Sequence, residues 1–464
     1  MIRHLLSMVV LLLFILAFAG CAKEETQPQQ HFPPDAEIQA LIQSRVDEQR
    51  AVGIVVGVME ADGSTRVFVA GEAGPDAPPL GEQSVFEIGS ITKVFTAIVL
   101  ADMVAKGEVK LDDPVAKYLP EGEVTMPTRA GKEITLLDLS THRSALPRMP
   151  DNFDPADAAN PYVDYTAEDM YEFLSNHELR RDIGAEAEYS NLAVGLLGHA
   201  LARASGRSYE ELVRERILEP LGMDNTAIAL TDTMRQRLAK GHDMTGSVVS
   251  NWDLDVLAGA GALRSDVRDM LKFIAANTGA PQTSLEEAMR VTHESRGVLR
   301  RDVDIGLNWI ILNPGNDKIV WHNGGTGGYH AFAGFDPKRG VGVVVLNNST
   351  HSTDDIGRYL INPDSPLTEP PPERTEVAVS AEILETYVGT YPITPDFALT
   401  ITVDDGTLWA QATAQNNFQI YPESETEFFY KVVDAQITFK KDDSGNVTGL
   451  VLHQGGADMP APKQ

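Results

Sequence analysis

The chain has 464 residues, 43% of them hydrophobic, so it is long enough to bury a large core and too long for one average domain. Its 67 acidic against 38 basic residues leave a formal net charge of −29, and no Lys/Arg cluster interrupts that excess, which argues against nucleic acid or any other polyanion as a partner. The only cysteine is Cys21, so an intramolecular disulfide is excluded.

The weakly basic start, MIRHLL, runs into the apolar stretch SMVVLLLFILAFAG and ends on the small-residue junction Gly20-Cys21, the layout of an export signal. Phe18-Ala19-Gly20-Cys21 resembles a bacterial lipobox, with Phe where Leu is usual. Residues 1–20 are therefore expected to be removed, leaving Cys21 lipidated and the protein in the cell envelope. Ala22 at the next position points to an outer-membrane lipoprotein facing the periplasm. Residues 21–35, including KEETQPQQHFPP, are polar and Pro-rich, as a tether between anchor and folded domain should be.

A large first domain is expected over 36–362. It opens with two β-branched runs, Val52 to Met59 and Arg66 to Ala70, around the turn Ala61-Asp62-Gly63-Ser64, which together predict a hairpin. Ser90 to Lys106 carries apolar residues at helical spacing and stops at Gly107. Further helices are expected at Thr135 to Ser140, Thr166 to Asn176, Leu192 to Ala204, Tyr209 to Ile217 and Ser265 to Ala276. Strand character returns at Gly306 to Leu312, Lys318 to His322, His330 to Asp336 and Gly340 to Asn347. Strands at both ends with helices between predict an α+β fold: an antiparallel sheet flanked by helices, with a helical subdomain on top.

The run NPDSPLTEPPP, from Asn362 to Pro372, marks an expected linker over 363–379. Alternating stretches at Leu399 to Val403, Leu408 to Ala410, Phe428 to Val432, Gln436 to Phe439 and Val447 to His453, with Asp-Gly and Ser-Gly turns between, predict a small all-β, barrel-like domain over 380–464. Trp409, Phe428, Tyr430 and Phe439 are its expected core. Its role, a lid over the cleft or a spacer, stays open.

Three short segments carry chemistry. Ser90-Ile91-Thr92-Lys93 places a serine at the first turn of an apolar helix with a lysine one turn on, so that Lys93 reaches the Ser90 hydroxyl. A serine needs an adjacent base, and a desolvated lysine serves as one. Tyr189-Ser190-Asn191 offers a phenol for proton relay and an amide for a substrate amide. His322-Asn323-Gly324-Gly325 ends a strand in glycines, which allow backbone to approach a ligand closely and lend it an N–H. Each segment alone is ordinary: a capped helix, a loop, a flexible connection. Their order along one chain is not.

Together they make the chain resemble the serine β-lactamase and penicillin-binding protein superfamily. Tyr189 points to its class C branch, with a His-x-Gly third motif like that of the related DD-peptidases and with Asn323 in place of threonine. Leu136 to Pro147 and Gly259 to Ser265 are similar to two further family segments. The resemblance implies that Ser90 is the acylated nucleophile and that Lys93 with Tyr189 moves its proton. It implies also that Asn191, His322, Asn323, Gly324 and Gly325 line the substrate site, with the Ser90 and Gly325 N–H groups as oxyanion hole. No metal or cofactor is implied. The expected substrates are D-alanyl peptides or β-lactams. A carboxylesterase acting on small esters, or a catalytically dead binding protein, are the alternatives.

Overall fold

A computed structural model describes residues 30–279, 282–312, 318–370, 374–394, 397–413, 417–431, 435–454 and 457–464; the expected export signal and Cys21 lie outside these residues. Strand β1 (Gly53–Met59) turns back into β2 (Thr65–Gly71) at Asp62, whose carboxylate accepts the Ser64 N–H at 2.9 Å, and at Gly63, which takes φ +82. Every residue of β1 is buried, which is why its apolar run is continuous and not alternating. The short strands β3 (Phe86–Glu87) and β4 (Arg264–Ser265) pair with each other. The remaining strands, β5 (Val298–Arg300), β6 (Val303–Ile305), β7 (Ile310–Leu312), β8 (Ile319–Gly325), β9 (His330–Asp336) and β10 (Val341–Asn347), complete an antiparallel sheet in the order β2-β1-β10-β9-β8-β7-β6-β5. The chain's first and last long strands of this region thus lie side by side, with Ile54 opposite Asn347.

The helices that cover the sheet and frame the site are α1 (Asp35–Asp47), α2 (Thr92–Ala105), α3 (Leu136–Ser140), α4 (Ala167–Asn176), α5 (Asn191–Ser205), α6 (Val267–Thr278) and α7 (Asp354–Ile361). Because side chains alternate across a strand, the sheet feeds two cores. Val55, Ala331, Phe335 and Val344 join α2, α5 and α6 in the larger one, whereas Ile54, Val56, Phe332 and Val345 join Ile38 and Ile42 of α1 and Ile356 and Leu360 of α7. Helix α2 runs through the larger core, with Val94, Phe95, Ile98, Val99 and Met103 all fully buried.

Two expected elements need correction. Gly306 to Trp309 is a turn, closed by the Gly306 N–H on the Trp309 carbonyl at 2.8 Å with Asn308 at φ +57, so the strand there is only Ile310–Leu312. Its apolar residues Leu307 and Trp309 are buried all the same, and burial without regular alternation had mimicked a strand. The helix expected from Ser90 begins as a 3₁₀ turn, Gly89–Ile91, before α2. Helix α1 was not anticipated at all.

Strands β11 (Gly389–Thr394), β12 (Phe397–Asp404), β13 (Thr407–Ala412), β14 (Asn417–Pro422), β15 (Glu427–Tyr430), β16 (Ala435–Lys441), β17 (Val447–Gln454) and β18 (Ala457–Pro462) form an antiparallel meander, each paired with the next. The Gln464 N–H donates to the Thr390 carbonyl at 2.9 Å, bringing the end of the chain onto the first strand and nearly closing a barrel. Phe428 and Phe439 are in its core with Tyr387 and Tyr391, and Tyr387 stacks on Phe439 at 4.0 Å. Trp409 is not in that core: it sits between the inward-facing Leu408 and Ala410, so its half-buried indole lies on the opposite face and donates to Thr407 of its own hairpin at 3.1 Å.

The two helices on the outer face are tied by a buried ion pair, Arg45 to Asp355 at 2.6 Å, each side chain 5% exposed; Asp355 also accepts the Thr368 N–H at 2.8 Å. Burial pushes the Asp355 carboxyl up, but the Thr368 N–H and Arg45 outweigh it and leave it below the usual range. Replacing Arg45 with Met should therefore cost about 3–5 kcal/mol at neutral pH, read from the denaturant midpoint, because the carboxylate is left buried and unpaired. Since a depressed carboxyl stabilises the fold above the unfolded value of about 3.9, the gap between wild type and variant should close as pH falls through the lower folded value. An unchanged midpoint at pH 7 would show that the pair holds nothing together.

Candidate active site

Ser90 is presented by a tight corner. Strand β3 ends at Glu87, the Ile88 N–H is held by the Leu263 carbonyl at 3.1 Å, and Gly89 takes φ +48 before the 3₁₀ turn feeds α2. A side chain at Gly89 would meet the Gly325 nitrogen at 2.9 Å, and one at Gly324 would meet the Ile88 oxygen at 1.9 Å. Glycine at both positions lets β8 run directly against the serine's backbone. Below this corner the Glu87 carboxylate accepts from Asn251 Nδ2 at 2.9 Å, the Trp252 N–H at 3.0 Å and Arg264 at 3.3 Å. Burial nevertheless holds its pKa above the usual carboxylate value.

One turn into the helix, Lys93 is completely buried. Its amine lies 2.9 Å from Ser90 Oγ and 2.7 Å from the Ala260 carbonyl, and among the described residues no carboxylate is bonded to it. Burial, with Arg148 adding to it, drives its pKa well below the ordinary lysine value. Thr96, one turn further, donates to the Gly259 carbonyl at 2.8 Å, so the Gly259–Gly261 turn is fastened along α2 at two points.

Tyr189 enters from the other wall. Ser190 caps α5, accepting the Ala193 N–H at 2.9 Å and donating to the Pro147 carbonyl at 2.6 Å, and its own N–H donates to His142 Nδ1 at 3.2 Å. The Tyr189 ring thereby stands 4.5 Å from the His142 ring and 6.2 Å from the His322 ring, with the Lys93 amine 4.9 Å and the Arg148 guanidinium 5.2 Å from its centre. Burial pushes the phenol up to about 12, against the opposing pull of a hydrogen bond with Ser90 and of Arg148.

The third motif divides between two faces. His322 points inward; burial first, then Lys93, push its imidazole down to about 3, although its Nδ1 lies 2.5 Å from the Asn323 carbonyl. Asn323 points outward, where its amide donates to Asp354 of α7 at 2.8 Å, so its side chain is not part of the cleft. Asn191 faces the cleft rim beside Met149, its Nδ2 3.7 Å from the Met149 sulfur, and Tyr162 and Trp252 pair at 5.2 Å across that rim. Ser90, Lys93, Tyr189 and His322 are thus brought together, with the Gly324-Gly325 backbone beside them. Unforeseen from the sequence were Arg148, His142, Glu87 and the Ala260 carbonyl. Their only signal was adjacency: His142 and Arg148 lie within or next to Leu136 to Pro147, and Ala260 lies in the Gly259 to Ser265 segment. Among the described residues no group of three His, Cys, Asp or Glu is placed to hold a metal ion.

Residues 38–362 match the family model described as Beta-lactamase, and residues 373–461 match a domain of unknown function, DUF3471. The chain is 34% identical over 316 residues to the D-alanyl-D-alanine-carboxypeptidase/endopeptidase AmpH of Escherichia coli, covering 64% of this chain and 79% of that one. It is 27% identical over 352 residues to a Beta-lactamase of Pseudomonas fluorescens, covering 68% and 93%. A crystal structure of a class C β-lactamase from Rhodobacter sphaeroides superposes with a TM-score of 0.59 at 26% identity, covering 68% of this chain and 95% of that one. With the serine, its buried amine and the facing tyrosine in place, the chain belongs to the β-lactamase family, in its class C-like form, and is a serine hydrolase of the β-lactamase and D-alanyl-D-alanine carboxypeptidase type.

Proposed function

We propose that the protein is an envelope lipoprotein that cleaves D-alanyl peptides through an acyl-enzyme on Ser90, and that β-lactams acylate the same serine. The observation that carries this reading is the Lys93 amine, fully buried and 2.9 Å from Ser90 Oγ. An amine that burial keeps neutral takes the serine's proton as Ser90 attacks the carbonyl carbon. Tyr189, whose phenol burial keeps protonated, gives its proton to the leaving nitrogen, and Lys93 returns a proton to Tyr189. The N–H groups of Ser90 and Gly325 hold the oxyanion, and Asn191 binds the amide of the acyl donor. A water then releases the acyl group by the reverse route. The likeness to a carboxypeptidase and the His-Asn-Gly third motif favour peptides as the natural substrate. The apolar segment before Cys21 and the polar tether after it support export and anchoring, with the acyl-transfer site facing the periplasm from the outer membrane.

Incubation with a fluorescent penicillin followed by intact-mass measurement should show one adduct on the wild type and none on Ser90→Ala, with the melting temperature of the variant unchanged. Lys93→Ala and Tyr189→Phe should each lose roughly three or more orders of magnitude in peptide cleavage, and the double variant little more, since both serve one proton path. Label on Ser90→Ala, or ester turnover with neither penicillin adduct nor D-alanine release, would overturn the reading.

The pH dependence follows from which groups titrate. Activity requires neutral Lys93, so the rate should rise with pH through the lowered lysine value. His322, held near 3, is neutral throughout that range and should contribute no step near 6.5, so His322→Gln should keep the shape of the profile. An imidazole step that disappears in this variant would refute the assignment.

For the location, Cys21→Ser should move the protein from the membrane fraction to the soluble fraction, and mass spectrometry of the wild type should find Cys21 acylated. Soluble wild-type protein with an unmodified Cys21 would sink the anchoring proposal.

A further inference from the structure

In this acylation scheme Ser90 forms a bond to the acyl carbon while the bond from that carbon to the leaving nitrogen breaks. The serine's proton passes to Lys93, the Tyr189 proton passes to the leaving nitrogen, and the proton on Lys93 returns to Tyr189. The balance is one proton moved from serine to leaving group. Between the last two transfers Tyr189 is a phenolate inside a buried site. Lys93 holds the serine's proton 4.9 Å from the ring through that interval but gives it up in the next step, so a positive charge that stays in place stabilises the phenolate beyond what Lys93 supplies.

The groups that face Tyr189 can be surveyed element by element. From α2 come Ser90 and the Lys93 amine; from β8, His322; from the segment after α3, His142 and Arg148; from the loop before α4, Tyr162. The neighbouring Glu188 is engaged by Arg181. Burial keeps both imidazoles uncharged, His142 well below its ordinary value and His322 near 3, and Lys93 is positive only while it carries the serine's proton, so its charge is not a fixed one. A guanidinium keeps its proton at every working pH. Arg148 is exposed, and among the described residues no hydrogen bond or ion pair engages its side chain, which lies over the Tyr189 ring at 5.2 Å. Its backbone is not free: its carbonyl accepts the Asn191 N–H at 3.0 Å and the Leu192 N–H at 3.3 Å, so the residue is locked to the same helix start that carries Tyr189.

We propose that Arg148 is a positioning residue that supplies the fixed positive charge stabilising Tyr189 as a phenolate while its proton is on the leaving group, a charge that the His-Asn-Gly strand does not bring. The inference rests on the proposed roles of Ser90 and Tyr189. It makes the third motif and the segment after α3 share a job: the strand offers backbone, and the loop offers charge.

The test varies the leaving group with one acyl group held constant. An amide nitrogen cannot leave without a proton, whereas a nitrophenolate can, so only the amide depends on Tyr189 as a proton donor. In Arg148→Met, kcat/KM for the amide should fall roughly ten- to a hundredfold, the scale of one charge lost about 5 Å away, while the nitrophenyl ester should change by no more than about threefold. Arg148→Lys should restore most of the amide rate. Equal losses on amide and ester, or loss that tracks a carboxylate on the acyl group whatever the leaving group, would overturn the proposal and make Arg148 a structural or substrate-binding residue. Ser90→Ala run beside these variants separates the two failures: if it still cleaves either substrate, the site assignment has failed, not the role of Arg148.

Discussion

The arrangement depends on one costly placement, a fully buried amine to which, among the described residues, no carboxylate is bonded. Lys93 sits fully buried between Ser90 Oγ and the Ala260 carbonyl. An ammonium there would lose its hydration without a counter-ion to replace it, so the neutral form wins and a strong surface base becomes a usable one. Holding it so requires that α2 be enclosed on every side. That is what the larger core does, with the sheet, α5 and α6 closing around the helix. The hydrophobic content of the chain thus has a direct chemical consequence: it sets the basicity of a single nitrogen.

The second constraint is closeness of backbone. Strand β8 passes against Gly89 and Ser90 at distances that no side chain at Gly324 would tolerate. This contact joins the end of the sheet to the start of the helix and aligns the inward His322 with Tyr189. Strand alternation then explains why the third motif splits, with His322 inside and Asn323 bonded to α7 on the far face. The site carries unpaired polar atoms as a result: among the described residues His142 Nε2, His322 Nε2 and Glu87 Oε2 are buried without a hydrogen bond. Such groups cost stability, and beside a nucleophilic serine they are available to a ligand.

The barrel of β11 to β18 is built on a different plan. Its core is made by its own strands and by Tyr387 and Tyr391, and it does not share residues with the cores around the first sheet. Reading its aromatics as one cluster was right for Phe428 and Phe439 and wrong for Trp409, because position within a strand and not residue type decides which face a side chain takes.

What was legible in the sequence were the features encoded locally. The Ser90 to Lys93 spacing is a property of one helical turn, the hairpin at Asp62-Gly63 of four residues, the stop at Gly107 of one left-handed glycine, and the order of three short motifs identifies a family without any contact being known. Alternating strands likewise announce a second all-β unit. What only the tertiary structure decided were the relations between segments far apart in the chain. Arg148 carries no signal of its own and matters because the start of α5 places it over Tyr189. His322 looks like a titratable group and is not one near neutrality, because Lys93 and burial hold it down. Asn323 reads as a site residue and is turned away by strand alternation. The Ala260 carbonyl has no side-chain signature at all, and it lies within 2.7 Å of the lysine only because β3, β4 and α2 meet at one corner. Residue types and spacing are written in order along the chain, whereas desolvation and facing direction come from what the fold packs around them.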